Sequence, residues 1–471
     1  VCSSDLMISD AESADDGDST RDGDPADTGD YSFGEPSSWH GTHVAGTIAA
    51  QHNAIGVRGI APGIKLMHVR VCGWKGCDDY DVADAIRWAA GLATDIDGDA
   101  WSVSGITTNS HKADVINLSL GRLGRCSDVS NAFYRQAIAD ARAAGTVVVV
   151  AAGNETTDVK NIMPASCTDA ITVAATGEYG ARASYSNFGS VVDIAAPGGD
   201  QSAGQRGVLS TVNSGSYGPI AAWTYVEYQG TSMAAPHVTG AVALLRSVWP
   251  DSTVSDIENE LKLTARPFPG KCSKCGAGLL DIAALVSRSP QAPLSIDNDP
   301  TLVFGVGIAT TVTVVGGSGV GAVNLATSTS SVCSVKGMVV TGKIAGTCTI
   351  TATKARSSTN FATTTTPLSI EVIVAPKSKS APVISLATNK LSASVTDGIW
   401  SGSGSISYAW YRCGSASKTN TCEQIVGESA STYSVRRPDD LNYYIRAQVT
   451  MTSSGLSVSV WSKATAKISA L

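Results

Sequence analysis

The sequence predicts an α/β domain with a mainly parallel sheet flanked by helices, followed by two all-β sandwiches. Strand and helix patterns alternate from His40 to about Val286, which favours a parallel sheet covered on both faces. The pattern changes after Ser287, where Pro290 and Pro293 mark a linker and no long helical pattern follows. Short Val, Thr and Ile runs separated by Gly and Ser turns then continue to the end, which is typical of β-sandwiches.

The elements of the α/β domain follow from local patterns. Val82–Leu92 has its apolar residues on one helical face, and Asn131–Ala144 is a helix with Asn131 as its candidate cap and Gly145 as its stop. Thr146–Ala152 is a continuous apolar run rich in Val, which indicates a parallel strand buried on both faces. The remaining predicted elements are the strands Leu66–Val71, Val115–Ser119, Ile171–Ala175 and Val191–Ala195, and the helix Ser232–Val248.

Changes in composition divide the chain into four segments. Residues 1–30 are acidic and Gly-rich, residues 31–289 form the α/β domain, and residues 294–375 and 382–471 form the two sandwiches. Val1–Leu6 match the translation of a common sequencing adapter, so we exclude them from fold reasoning and expect the natural protein to begin upstream. Aromatic residues in the last segment argue against the alternative of a disordered Ser/Thr-rich tail.

Charge and hydropathy exclude two classes of protein. The chain has 34 Lys and Arg against 41 Asp and Glu, a net charge of -7, whereas a nucleic-acid-binding protein usually has a basic face. The longest apolar stretch, Val147–Ala152, is far shorter than the roughly 20 residues needed to cross a bilayer. We therefore expect neither a nucleic-acid partner nor a membrane span.

The cysteines predict an oxidising compartment and export. Apart from Cys2, the ten remaining cysteines form an even set of close neighbours, as expected of disulfides in a secreted protein. The candidate pairs are Cys72 with Cys77, Cys126 with Cys167, Cys272 with Cys275, Cys333 with Cys348, and Cys413 with Cys422. The Cys272–Cys275 spacing also fits a redox pair or half a zinc site, but no second such pair exists, so a structural role is preferred.

Three segments of the α/β domain carry candidate catalytic groups. Each has a structural interpretation when taken alone, but together they supply the parts of one reaction. A serine hydroxyl such as that of Ser232 is a weak nucleophile and needs a base, for which His40 is the candidate. The helix that begins at Ser232 offers a backbone N–H and a partial positive charge to an oxyanion. Asn154, at the carboxyl end of a buried strand, could donate a second hydrogen bond.

These segments resemble a known family. HGTHVAGTIAA at residue 40, NLSLG at 117, VVAAGN at 149 and GTSMAAPHVTG at 230 resemble the four hallmark blocks of the subtilisin-like serine proteases, in the family's order. PASC at 164–167 and RASYSNFGS at 182–190 are similar to the branch that contains proteinase K and secreted bacterial alkaline proteases. The resemblance covers about residues 31–286 and implies a subtilisin-like fold.

The resemblance also implies roles for individual residues. The implied site residues are the base His40, the nucleophile Ser232, the oxyanion donor Asn154, and two walls of the primary specificity pocket, Ser119–Leu120–Gly121 and Ala152–Gly153. Val103–Ile106, after the insertion-rich stretch Thr94–Trp101, would be the edge strand that pairs with a bound peptide. His43 and His237 lie close to the catalytic pair in sequence, and we expect them to be structural interior histidines.

The family's third triad residue is an Asp at the end of an early apolar strand. Asp27 has the right Asp-Thr-Gly context but lies only thirteen positions before His40, and the acidic, Gly- and Pro-containing residues 22–26 cannot form a buried strand. We therefore expect the catalytic Asp upstream of Val1. In subtilisin, loss of this Asp costs about 3 × 10⁴ in kcat, so the chain as given is expected to be poorly active.

The chemistry requires no cofactor, and no metal ligand is assigned. The acidic segment Asp10–Asp30 and the residues Asp95, Asp97 and Asp99 are candidates for structural Ca²⁺, as in many subtilases, with an acidic surface loop as the alternative. The two sandwiches resemble bacterial immunoglobulin-like modules. They are expected to be spacers, and contact with a glycan or a cell surface is the alternative role.

These expectations define a secreted serine endopeptidase that acts on polypeptides. A catalytically dead subtilase scaffold that serves as an extracellular adhesin is the alternative. An α/β-hydrolase esterase is disfavoured because the chain has no Gly-x-Ser-x-Gly elbow and the candidate base precedes the nucleophile. Substrate preference does not follow from the sequence.

Overall fold

The chain divides into two compact units, Val1–Ser289 and Pro290–Leu471. The computed structural model describes residues 29–31, 35–73, 76–92, 109–297 and 303–469. Among the described residues, no helix is both long and apolar enough to cross a membrane.

The first unit contains a parallel sheet, several helices and short antiparallel pairs. Its helices are α1 (His40–Ala49), α2 (Asp79–Ala89), α3 (Ala132–Ala143), α4 (Thr231–Val248), α5 (Val254–Thr264) and α6 (Ile282–Leu285). Its strands are β1 (Cys72–Gly73), β2 (Gly76–Cys77), β3 (Val115–Leu118), β4 (Arg122–Leu123), β5 (Val147–Ala151), β6 (Ile162–Met163), β7 (Ile171–Thr176), β8 (Ile194–Pro197), β9 (Val208–Asn213) and β10 (Trp223–Tyr228).

The central sheet has the strand order β3–β5–β7–β8, and all of its pairs are parallel. Every residue of β5 is buried, so this strand is covered on both faces. Val148 and Val150 pack in one core with α2 and α3. Because side chains alternate along a strand, Val147 and Val149 point to the other face, which α4 covers by packing across all four strands. The predicted α/β fold with a mainly parallel sheet is confirmed.

Local hydrogen bonds at the starts of α2 and α3 differ from those predicted. The side chain of Asp78 accepts hydrogen bonds from the N–H groups of Tyr80 (2.9 Å) and Asp81 (3.2 Å), so α2 begins before Val82. Asn131 lies at the start of α3, but the prediction that its side chain caps the helix is wrong. Its Nδ2 donates to the carbonyl of Arg125 at 2.8 Å instead.

The predicted strand over Leu66–Val71 is not formed among the described residues, where only Arg70 of this segment takes part in a β-bridge. Met67, Val69 and Val71 alternate as in a strand and pack against Trp88 on α2. However, a strand also needs a ladder partner, and none of the described strands pairs with this segment. The alternation of apolar residues therefore reflects the burial of Met67, Val69 and Val71 against α2. The strand expected at Val191–Ala195 begins later, at Ile194.

The hairpin formed by β9 and β10 lies beside α1. The two strands pair in antiparallel fashion from Val208–Tyr228 to Asn213–Trp223. The Ser210 hydroxyl on β9 donates to the His43 carbonyl on α1 at 2.7 Å, and this hydrogen bond attaches the strand to the side of the helix. The start of α1 is therefore held by a hairpin that comes much later in the sequence.

The second unit consists of short strands, nearly all in antiparallel pairs. Its first group is β11 (Leu294–Ile296), β12 (Val303–Gly305), β13 (Ala309–Thr311), β14 (Val314–Gly316), β15 (Val323–Thr327), β16 (Cys333–Lys336), β17 (Val339–Gly342), β18 (Gly346–Lys354), β19 (Thr363–Thr364) and β20 (Leu368–Ile373). The second group is β21 (Lys377–Ser380), β22 (Ile384–Leu386), β23 (Ser392–Val395), β24 (Ile399–Ser401), β25 (Ser405–Cys413), β26 (Cys422–Ile425), β27 (Thr432–Ser434), β28 (Tyr444–Ser453) and β29 (Leu456–Trp461).

Each group of strands has a separate core, as β-sandwiches require. The first core packs Ile350, Ile370 and Val372 around buried cysteines, and the second packs Trp410 on Tyr433 with ring centroids 5.5 Å apart. The only parallel pair among the described strands of this unit joins β12 to β20. The immunoglobulin-like nature of the two groups stays a prediction.

All five candidate cysteine pairs are disulfides in the structure. They join Cys72 to Cys77, Cys126 to Cys167, Cys272 to Cys275, Cys333 to Cys348, and Cys413 to Cys422. Each bond closes within one unit, and the structural role preferred for the Cys272–Cys275 pair stays a prediction.

Candidate active site

Ser232 lies in the first turn of α4, at the carboxyl edge of the parallel sheet. Gly230, just before the helix, has φ 153°, a backbone conformation that favours glycine, and its N–H donates to the Gly198 carbonyl at 3.0 Å. The Ser232 hydroxyl donates to the Ser119 carbonyl at 3.3 Å, and the Ser119 hydroxyl donates to the Ser232 carbonyl at 2.8 Å. The chain around the candidate nucleophile is thus bound on both sides.

Asn154 follows β5 and faces the same helix start. Its Oδ1 accepts hydrogen bonds from the backbone N–H and the hydroxyl of Thr231, both at 2.9 Å. A Cβ atom added to Gly230 would lie 3.7 Å from Asn154 Nδ2 and 3.6 Å from Ser232 N. The two nitrogens therefore border the same small space, as two donors to one oxyanion must.

Thr231 is a positioning residue that was not singled out from the sequence. Its side chain is only 1% exposed, and its Oγ1 donates to Asn154 and accepts from the Gly153 N–H at 3.0 Å. This bridge fixes the amide of Asn154 with its Nδ2 toward the helix start. Thr231 belongs to the Gly-Thr-Ser sequence of the fourth block, but its positioning role depends on contacts with distant parts of the chain, which the sequence pattern does not show.

His40 is the first residue of α1. Trp39, before it, adopts a left-handed conformation with φ 49°, and the His40 N–H donates to the Ser38 hydroxyl at 3.3 Å. The carboxylate of Asp30 accepts from the N–H and hydroxyl of Ser38 at 2.6 and 2.5 Å. Asp30 therefore helps to fix the chain that enters the helix, although the sequence offered it only as part of an acidic segment.

The electrostatics of His40 suit a base. Burial lowers the pKa of its imidazole, the nearby His43 lowers it further, and the carboxylate of Asp30 opposes the shift. A lowered pKa keeps the imidazole neutral at pH 7, which is the form that accepts a proton. Among the described residues, no carboxylate accepts a hydrogen bond from this ring.

The two candidate partners His40 and Ser232 lie on helices that pack together. Val44 and Ile48 of α1 contact Met233 of α4 in one apolar cluster. The Ser232 hydroxyl, however, donates to Ser119 and not to the imidazole. Catalytic hydrogen bonds are often loose in free enzymes and tighten when substrate binds, so the packing of α1 on α4 is the relevant observation.

His43 and His237 are interior histidines, as expected. His43 is fully buried, its Nε2 donates to the carbonyls of Val208 (2.9 Å) and Val226 (3.0 Å), and its ring stacks on Tyr228. The Nδ1 of His237 donates to the Met233 carbonyl at 2.8 Å, one turn earlier in α4. Burial lowers the pKa of both imidazoles.

We expect the free energy of unfolding to fall as the pH falls from 7 to 5. His40, His43 and His237 each have a folded-state pKa below the ordinary value of 6.5, so the unfolded chain binds more protons in this window. Their stabilising contribution is complete above about pH 6.5 and is lost as the pH falls through it. Each imidazole contributes a slope of at most about 1.4 kcal/mol per pH unit.

Thermal melting between pH 5 and 7 checks this expectation. His237→Gln should flatten the dependence of Tm on pH, because the variant removes one of the buried imidazoles. His111→Gln is the matched control, since His111 is exposed. Equal slopes for the parent chain and for His237→Gln would show that this buried imidazole does not couple folding to pH.

The two predicted pocket walls follow neighbouring strands. Ser119 comes directly after β3 and Ala152 directly after β5, and these strands pair in parallel. The Ser119 hydroxyl accepts from Asn117 Nδ2 at 2.9 Å, and Asn117 Oδ1 accepts from the Thr239 hydroxyl on α4 at 2.9 Å. The first wall is therefore attached to the helix that carries Ser232.

Glycines in both walls occupy positions with no space for a side chain. A Cβ atom on Gly153, which has φ 95°, would lie 2.4 Å from Asn187 Nδ2. A Cβ atom on Gly121 would lie 3.0 Å from the Met163 carbonyl oxygen, while Leu120 packs against the core. The walls present backbone and small side chains, and their role in substrate binding stays a prediction.

Several predicted features lie outside the described residues. They are Asp27, the edge strand Val103–Ile106, the stretch Thr94–Trp101, the carboxylates Asp95, Asp97 and Asp99, and the acidic segment from Asp10 up to residue 28. Within the part of the chain that the structure describes, no group of three His, Cys, Asp or Glu side chains could hold a metal ion. Structural Ca²⁺ therefore stays a prediction.

The fold and this site define an α/β protein in which a helix carrying a candidate nucleophile begins at the carboxyl edge of a parallel sheet. The model of the Subtilase family, peptidase S8, matches residues 4–278, and the chain belongs to this family.

Relatives and a solved structure agree with this assignment. The chain is 44% identical over 338 residues to an extracellular protease of Xanthomonas campestris, covering 66% of this chain and 54% of that protein. It is 38% identical over 300 residues to an extracellular basic protease of Dichelobacter nodosus (60% and 46%) and 35% identical over 264 residues to subtilisin E of Bacillus subtilis (55% and 58%). The chain thus spans about half the length of these relatives. A structure described as proteases from Pseudoalteromonas arctica matches with a TM-score of 0.54 and 45% identity, covering 60% of this chain and 84% of that one.

Proposed function

We propose that the chain is a secreted serine endopeptidase that hydrolyses peptide bonds through an acyl-enzyme. The observation that carries this proposal is the convergence of Asn154 Nδ2 and the backbone N of Ser232 on one space at the start of α4. Such a pair of donors stabilises negative charge on a carbonyl oxygen only when a nucleophile attacks that carbonyl. Membership of the subtilase family supports the same reaction.

In the proposed mechanism, the Ser232 hydroxyl attacks the scissile carbonyl while His40 accepts its proton. The oxyanion of the tetrahedral intermediate accepts hydrogen bonds from Asn154 Nδ2 and the Ser232 N–H. The imidazolium then gives its proton to the departing amine, which leaves an ester on Ser232. Water attacks this ester, with His40 again as the base, and the acid product is released.

The proposal also covers what the substrate and the environment would be. The walls at Ser119–Gly121 and Ala152–Gly153 are small and largely apolar, which fits polypeptides without a strict side-chain preference. The disulfides and the extracellular relatives support a location outside the cell. A carboxylate that accepts a hydrogen bond from the His40 ring would orient the imidazole for this role.

Covalent labelling tests the proposal even when turnover is slow. A fluorophosphonate should modify the folded chain at Ser232, because only an activated serine reacts with such a reagent. Trypsin releases residues 207–246 as one peptide, and fragmentation of this peptide separates Ser232 from its other serines.

The heat-unfolded chain is the control and should not be labelled. Labelling that is equal in the folded and unfolded chain would contradict the proposal. A folded chain with no labelling and no hydrolysis of casein would favour the alternative of a non-catalytic binding scaffold.

A further inference from the structure

The loop between β9 and β10 presents large apolar side chains to solvent. Tyr217 is 67% exposed, Ile220 is 52% exposed and Trp223 is 61% exposed, and the edge of the Tyr31 ring contacts Tyr217 with centroids 4.5 Å apart. We call these four residues the aromatic surface. Residues 214–223 contain no charged side chain, so the surface favours apolar groups.

The aromatic surface is attached to the chain that enters α1. The Trp39 indole N–H donates to the Gly215 carbonyl at 2.7 Å, and the Ser37 N–H donates to the Ser216 carbonyl at 2.8 Å. The Ser37 hydroxyl donates to the carbonyl of Tyr217 itself at 2.7 Å. Three hydrogen bonds thus join the loop to Ser37 and Trp39, and Trp39 directly precedes His40.

The loop is also fixed internally. Asn213 Nδ2 donates to the Ile220 carbonyl at 2.8 Å, and Asn213 Oδ1 accepts from the N–H groups of Gly215 (2.8 Å) and Ile220 (3.1 Å). Trp223 contacts the ring of Tyr225 on the same face of β10, with centroids 5.6 Å apart. The rings are therefore held in place before any partner arrives, which lowers the entropy cost of binding.

An extended substrate can reach this surface from the catalytic centre. The Trp39 side chain spans the gap between its own backbone, next to His40, and the loop backbone at Gly215. This gap is on the order of 10 Å. An extended peptide advances about 3.3 Å per residue, so three to four residues span this distance. The surface is thus attached to Trp39, the residue directly before the candidate base His40.

We infer that the aromatic surface is a secondary binding site for bulky apolar side chains of the polypeptide substrate, about three to four residues from the scissile bond. The inference rests on the proposed function, because it takes the substrate to be an extended polypeptide bound at Ser232. It adds a determinant of specificity that the small pocket walls do not supply.

Peptide binding to the full 471-residue chain with Ser232→Ala tests the inference without any turnover. The probes are two fluorescein-labelled dodecapeptides with a central Ala-Ala pair. One has Phe three and four residues to either side of this pair, and the other has Ser at the same positions. We expect the Phe peptide to bind about tenfold more tightly, since burying an aromatic ring is worth roughly one factor of ten.

The double variant Tyr217→Ser/Trp223→Ser should lose this preference and bind both peptides with Kd values within twofold. Tyr179→Ser is the matched control, since Tyr179 is an exposed tyrosine on another loop of the same unit, and it should keep the preference. If the double variant does not melt like the parent, Trp223→Ser alone should reduce the preference at least threefold.

The outcomes separate the two proposals. Equal Kd values of the parent chain for the two peptides would overturn only the inference that the aromatic surface binds substrate. If neither peptide bound, the result would count against the proposed function. Light scattering provides a further check. A dimer of the parent that the double variant abolishes would assign the surface to a second copy of the chain and overturn the inference.

Discussion

Replacing Ser232 by alanine is expected to reduce peptide hydrolysis by at least about 70-fold. In subtilisin, loss of the nucleophile costs about 2 × 10⁶ in kcat and loss of the aspartate alone about 3 × 10⁴, so the ratio of these losses is about 70. The 70-fold loss is expected if no carboxylate orients His40. If a carboxylate does orient it, the expected loss is about 2 × 10⁶-fold. The loss is measured as kcat on a chromogenic tetrapeptide anilide.

A serine elsewhere on the same helix provides the control. Ser247 is exposed near the end of α4, and its hydroxyl donates only to the Leu244 carbonyl in its own helix. Ser247→Ala should therefore leave kcat unchanged. Hydrolysis that survives Ser232→Ala at the parent rate would exclude Ser232 as the nucleophile.

Removing the side-chain donor of Asn154 is expected to lower kcat by about 10²- to 10³-fold with little change in KM. The donor acts on the oxyanion, which exists only after attack, so substrate binding should be nearly unaffected. Asn154→Asp keeps an oxygen to accept from Thr231 but has no N–H, and it separates the donor role from the structural one.

Asn154→Leu loses both roles and serves for comparison. It should be as slow as Asn154→Asp and should also melt at a lower temperature, because the Thr231 N–H and hydroxyl lose their acceptor. Wild-type kcat in Asn154→Asp would show that Asn154 Nδ2 does not stabilise the oxyanion.

Much of the fold could be predicted because its signals are local. The run Val147–Ala151 is short, apolar throughout and rich in Val, which favours a strand covered on both faces, and the structure buries all of it. Likewise, pairing each cysteine with the next one along the chain predicted the five disulfides, although Cys126 and Cys167 lie 41 residues apart. The resemblance to the family's blocks was sufficient to predict that Ser232 and Asn154 share one site.

The features that could not be predicted depend on distant contacts. Leu66–Val71 has the pattern of a strand, but pairing needs a partner that its own residues do not specify. The bond from the Thr231 N–H to Asn154 joins residues 77 positions apart, and the bond from Ser119 to Ser232 spans 113. A sequence pattern cannot indicate such contacts, so the support of the two candidate oxyanion donors emerged only from the structure.

The disulfide between Cys126 and Cys167 lies close in sequence to the predicted pocket wall Ser119–Gly121 and supports it covalently. It closes 41 residues of chain, against 3 for the Cys272–Cys275 pair. By loop-closure entropy, these bonds are worth about 4 and about 1.6 kcal/mol respectively. The longer bond also joins the chain that leaves the first pocket wall to the segment that leads into β7. A reducing environment would therefore remove a covalent link next to the predicted pocket wall as well as a constraint on the unfolded chain.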